Sequence, residues 1–130
     1  YFLLSSFQEY AQRRRHLGRA DLFHLFTGKA IDDDIIGLSY LGGLCDEQQQ
    51  YSYGFTAHYL TPLMPLITAH ELGHSLGAHH PEELVTPSVP SLMTGIIRSG
   101  QSSFSEFSRN EIVKYFADNN FVVNGGCTGE

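Results

Sequence analysis

The sequence predicts an α/β domain, and three observations carry that prediction. The chain opens on residues at helical spacing; three strand-like runs follow at residues 21–27, 35–41 and 53–60; and two further helical stretches begin near residues 61 and 108. Helices before and after a set of short strands imply helices packed on a sheet. At 130 residues the chain is long enough for one core, so residues 1–130 are read as a single domain.

In the first helix Leu3, Phe7, Tyr10 and Arg14 recur at helical spacing with Leu4 and Ala11 beside them. Arg13, Arg14 and Arg15 fall in its last turn, where cations favour the helix dipole. Residues 21–27 carry strand-like aromatics and end at Gly28 and Lys29. His24 lies inside this run and reads as a packed or surface strand residue rather than a ligand. Asp32, Asp33 and Asp34 form a turn, because a calcium loop needs wider, alternating spacing. The strand at 35–41 closes on Gly42 and Gly43, and residues 46–50 form a polar loop. From residue 53 to 60, Phe55, Ala57 and Tyr59 alternate with Thr56 and His58.

Thr61 and Pro62 read as N-cap and first residue of the next helix, with Pro65 as a second possible start. Leu63, Leu66, Ile67, Ala69 and Leu76 make this helix apolar nearly all round, as expected of a core helix. Three prolines mark residues 81–90 as a loop. Ser108 to Glu111 has the capping-box pattern, with Ile112, Val113, Tyr115 and Phe116 on one face of a last helix. Asn119 and Asn120 end it, and residues 121–127 form an extended tail.

The core helix carries the chemistry. His70 and His74 stand one turn apart on one face, so both imidazoles can converge on one cation. Imidazole nitrogen suits Zn²⁺, and a catalytic zinc needs three protein ligands and one position open to water. Glu71 lies beside the first histidine and is the natural group to take a proton from that water. The third ligand is expected to be His80, because Gly77 can adopt the positive φ that ends the helix and turns the chain back. His79 must then point elsewhere. Requiring Gly77 and His80 after His-Glu-Leu-Gly-His lowers the chance rate roughly two hundredfold at this Gly and His content. The alternatives are exposed histidines on an amphipathic helix, or a structural zinc closed by a fourth side chain.

At His70, Glu71, His74, Gly77 and His80 the sequence resembles the metzincin zinc endopeptidases. Asp21 to Gly28 and Ile36 to Cys45 are similar to the reprolysin branch, which includes the ADAM-type and snake-venom metalloproteinases. The resemblance implies a zincin-like three-layer fold: a mixed, mostly parallel sheet with an antiparallel edge strand, an active-site helix, a Met-turn and a C-terminal helix. It implies that Met93, in Ser91-Leu92-Met93-Thr94-Gly95, is that Met-turn. It also implies that the segment holding Gly37, Leu38, Ser39 and Tyr40 is the edge strand on which an extended substrate pairs, and that residues 94–99 wall the specificity pocket. Ile96 and Ile97 there suggest an apolar preference.

Cys45 and Cys127 suit either one disulfide in an oxidising compartment or two buried thiols. The resemblance places a bridge between them, worth roughly 4 to 5 kcal/mol on the chain-entropy account. It further implies a surface calcium near Asp21, the Cys127 carbonyl and Glu130. The chain departs from the branch in two ways. Pro81 stands where reprolysins usually have Asp after the third histidine, and the family's first strand, helix and strand have no counterpart before the opening helix. A start on Tyr1, already helical, suggests a mature or excised piece.

The formal charge of −6 is spread rather than blocked, which argues against nucleic acid as a partner. No apolar run reaches transmembrane length. The resemblance implies the function of a secreted or extracellular zinc endopeptidase acting on protein or peptide substrates, with Glu71 as base and then acid. The rival expectation is an inactive or truncated zinc-binding domain that docks on a partner protein.

Overall fold

Strand order follows from burial. The computed structural model describes residues 2–14, 20–29, 35–45, 51–57 and 61–119. Strand β1 (Phe23–Thr27) and strand β2 (Gly37–Ser39) are half-buried, whereas all five residues of β3 (Tyr53–Ala57) are buried. The fully buried strand is accordingly central, and the order is β1-β3-β2. β1 runs parallel to β3, with Phe23 opposite Tyr53 and Thr27 opposite Ala57. β2 runs antiparallel on the other side, with Gly37 opposite Thr56 and Ser39 opposite Gly54. The result is a small mixed sheet in an α/β fold with an antiparallel edge.

The two faces of the sheet differ in chemistry. Tyr53, Phe55 and Ala57 point to one side, where helix α1 (Phe2–Gln12) covers them with Leu4, Phe7 and Ala11. Phe23 stacks on Tyr53 at 5.2 Å, and Phe7 meets the same ring edge-on at 5.7 Å. On the opposite side small and polar residues let helix α2 (Met64–Ser75) come close. Thr56 bonds Thr68 of α2 at 2.9 Å and His24 of β1 at 2.7 Å. Burial pushes the His24 imidazole down to about 4, so it stands neutral as a strand residue. No described helix is long and apolar enough to cross a membrane.

Several boundaries differ from the sequence pattern. α1 ends at Gln12, before the arginines, and its buried stripe is Leu4, Phe7 and Ala11. Of the expected face Leu3, Leu4, Phe7 and Ala11 pack on the sheet, whereas Tyr10 faces outward at 52% exposure with the Arg14 guanidinium over its ring. α2 begins at Met64 with Pro65 in its first turn, which is the second of the two expected starts. The last helix, α3 (Glu106–Asp118), starts a turn before the Ser108 pattern. Ser105 is its cap, accepting from the Ser108 N–H at 3.2 Å, and Ser108 itself is buried. Val113 is 66% exposed and does not share the packed face. β2 is only three residues long, although Ala57 N–H to Ile36 O and Tyr40 N–H to Tyr53 O continue the pairing at both ends. The expected features at Arg15, residues 32–34, residues 46–50, residues 58–60 and residues 121–127 lie outside the described residues.

Candidate metal centre

The end of α2 brings the three histidines together. Gly77 has φ of +97°. Its N–H bonds His74 O at 2.9 Å, and the Ala78 N–H reaches back to Gly73 O at 3.0 Å. This paired closure reverses the chain after the helix. A side chain at Gly77 would also stand 2.8 Å from Tyr115, so glycine is required on two grounds. The reversal returns His80 to the face that carries His70 and His74. The three Nε2 atoms lie 3.1 Å apart for His70 and His74, and 3.2 Å apart for each pair with His80.

The ring protons show what that triangle can hold. His70 Nδ1 donates to Leu92 O and His74 Nδ1 to Ala78 O, each at 2.7 Å, while His80 Nδ1 donates to Glu83 Oε1 at 3.2 Å. These partners only accept, so each Nδ1 carries the proton and three Nε2 lone pairs face one another. Lone pairs so close repel unless a cation lies between them. A tetrahedral ion with bonds of 2.0–2.1 Å sets its ligand nitrogens about 3.3 Å apart, near the spacing found. Burial, and then neighbouring histidines, push His74 down to about 4, and burial lowers His70 too, keeping both rings neutral. Among the described residues this is the one group of histidine, cysteine and carboxylate side chains close enough to share an ion.

Glu71 sits on the same helix, 5% exposed. Burial raises its carboxyl to about 8, with a hydrogen bond from Ser39 acting the other way. The Ser39 hydroxyl is placed to donate to Glu71 O at 2.8 Å and to Oε1 at 3.2 Å. Gly37 leaves room for the carboxylate: a Cβ there would lie 2.7 Å from Oε2 and 2.9 Å from Cγ of Glu71. Strand β2 thus shapes the acid's surroundings through one small residue and one hydroxyl.

Met93 is fully buried beneath α2, where a Cβ on Gly73 would collide with its sulfur. The turn that carries it is closed by Ser91 N–H to Thr94 Oγ1 at 2.8 Å and Thr94 N–H to Ser91 O at 3.2 Å. Its Leu92 carbonyl is the partner of His70. The next residue, Gly95, donates to Glu82 Oε2 at 2.7 Å, tying the turn to the short 3-10 helix Pro81–Glu83 that follows His80.

A cavity of about 340 Å³ opens over the histidines, with Gly37, Leu38 and Ser39 on one wall and His79 and Glu83 among its other lining residues. Tyr40 does not line it; its ring packs with the α1 core and its hydroxyl bonds Gln8 at 2.9 Å. Ile96 and Ile97 do not line it either, and Ile96 is 63% exposed. Asp21 is exposed, with its backbone carbonyl on the Cys45 N–H at 3.2 Å. Cys127 and Glu130, the other members of the expected bridge and calcium set, lie outside the described residues. Around these residues Glu82 accepts from Gly95, Glu83 pairs with the His80 ring three residues before it, Glu111 holds His79, and the Ser39 hydroxyl meets Glu71. The partners of Glu82, Glu111 and Ser39 are too distant in sequence for a local pattern to mark them.

Residues 3–81 match the Reprolysin-like group of metallo-peptidase family M12B. The match runs from α1 through the third histidine and stops short of the Met93 turn and α3. The chain is also similar to a protein named snake venom metalloproteinase TM-1, from Protobothrops mucrosquamatus, with 34% identity over 103 residues. That alignment covers 77% of this chain and 50% of the relative, so the chain spans about half the length of the curated protein it matches.

Proposed function

This chain belongs to the reprolysin-like metallopeptidases of family M12B, and from that premise we propose that it is a zinc-dependent endopeptidase hydrolysing peptide bonds of protein or peptide substrates. One observation carries the reading: three imidazole lone pairs converge at the spacing a tetrahedral zinc requires, with a buried carboxylate beside them. His70, His74 and His80 are the ligands, and the partners of their Nδ1 atoms keep the lone pairs aimed inward. When bound there, zinc supplies a Lewis acid that polarises a peptide carbonyl and makes water acidic enough to be deprotonated near neutral pH.

Glu71 performs the proton transfers. It takes the proton from the attacking water and hands it to the leaving amine, so no side chain is acylated. Its raised affinity for protons suits that double use, and an adjacent cation opposes the shift. An extended substrate lies along the outer edge of β2, pairing by backbone hydrogen bonds. The same proposal includes the zincin-like three-layer fold, Met93 as the Met-turn, an extracellular location, the Cys45–Cys127 bridge and a calcium near Asp21, supported by family membership. Gly37→Ala is expected to push Glu71 aside, lowering kcat by about tenfold or more while zinc content stays near one per chain. Parallel kcat and elemental zinc measurements check this.

The test is a quenched-peptide assay. Hydrolysis by the zinc-loaded chain should vanish with a chelator and return when zinc is restored. A second reading is a zinc-holding module that docks on a partner. Stoichiometric zinc without hydrolysis of any peptide in a broad library would select it.

A further inference from the structure

Helix α3 makes an attachment that the three metal-facing rings do not themselves require. Glu111 Oε1 accepts the backbone N–H of His79 at 3.0 Å, and its Oε2 pairs with the His79 Nδ1 at 2.7 Å. The Glu111 side chain is 17% exposed and that of His79 43%, so the contact is shielded on its Glu111 side only. A carboxylate holding both the peptide N–H and the ring of one residue fixes that residue's backbone as well as its side chain. The next residue is His80.

His80 needs such support more than the other two. His70 and His74 stand on a rigid helix, and each is bonded at 2.7 Å to a backbone carbonyl. His80 follows the helix, and its Nδ1 partner is the exposed side chain of Glu83 at 3.2 Å. Pro81, directly after it, has no N–H with which to anchor the chain. One turn beyond Glu111, Tyr115 packs against Gly77 and its hydroxyl donates to the Gly42 and Leu44 carbonyls. One side of α3 therefore grips both Gly77, where the chain reverses, and His79, just before the third ring.

We propose that Glu111 is a positioning residue for the third metal ligand, with α3 as the brace that sets the His80 imidazole. The inference rests on the reading of His80 as a zinc ligand. It makes zinc affinity depend on a helix that contributes no ligand, in a part of the chain beyond the family match.

The experiment compares the parent chain with Glu111→Ala and Glu111→Gln. Three quantities are read: zinc dissociation constant by chelator competition, amide hydrogen exchange in the zinc-free protein, and thermal midpoint. Glu111→Ala should weaken zinc binding by about tenfold or more and speed exchange at the His79 amide, while exchange within α2 is unchanged. Glu111→Gln fills the same volume and keeps one oxygen for the His79 N–H, so its zinc affinity should fall between the other two. It serves as the deciding variant if the alanine form does not fold. A purely structural role would lower the midpoint but leave zinc affinity within about twofold of the parent in every folded variant, and that result overturns the proposal. If the parent binds no zinc, the zinc reading itself fails, whereas His79 exchange still decides whether Glu111 braces the segment.

Discussion

Glu71→Gln should leave zinc bound at one ion per chain and cut kcat/KM on a quenched peptide by about 10²- to 10⁴-fold, the range over which a positioned acid-base group acts. The substitution changes little else. Glutamine has the shape that Gly37 leaves room for, and its amide oxygen can accept the Ser39 hydroxyl as the carboxylate oxygen does. The three imidazoles are untouched, because their Nδ1 partners are Leu92, Ala78 and Glu83. What is lost is a group able to accept a proton at one stage and return it at another. Elemental analysis beside the kinetic assay separates lost chemistry from lost metal. Turnover near the parent's value, with zinc present, would remove Glu71 from the role assigned to it.

His80→Ala acts on the metal instead. If the roughly 10 to 16 kcal/mol of a four-ligand protein zinc site is shared among its ligands, removing one costs about 3 kcal/mol or more, on the order of a hundredfold in affinity. The fold should survive, because the His80 side chain is 29% exposed and its backbone still opens the 3-10 helix after it. His79 is turned toward Glu111, which holds its ring and its N–H, and it is not among the side chains placed to share an ion. The variant should therefore lose zinc to a mild chelator and lose hydrolysis with it, while its zinc-free circular dichroism matches the parent's. Retained zinc at parental affinity would reject His80 as the third ligand.

The parts of the site that were legible in the sequence are those in which spacing alone does the work. His70 and His74 share a helix face because they are four apart, and Gly77 could be read as the turning point because few other residues adopt positive φ. The strands were legible as runs of alternating or aromatic residues, and the fully buried β3 was among them. Helix boundaries were less so. Ser108 satisfied a capping pattern, yet Ser105 took the cap, since two hydroxyls three apart offer the same local signal. Likewise Tyr10 lies at the right spacing for the α1 face, but the packing on Tyr53 takes up Leu4, Phe7 and Ala11 and leaves Tyr10 outside. The polar contacts that complete the centre were not legible. Ser39 is 32 residues from Glu71, and Glu111 is 32 residues from His79, so neither pairing has a local periodicity to reveal it.

X-ray absorption at the zinc edge of the purified chain tests the central claim most directly. The account predicts one zinc per chain with three nitrogen neighbours at about 2.0–2.1 Å and one further light atom from solvent. An edge spectrum showing a fourth side-chain ligand, or a chain that takes up no zinc, would contradict it.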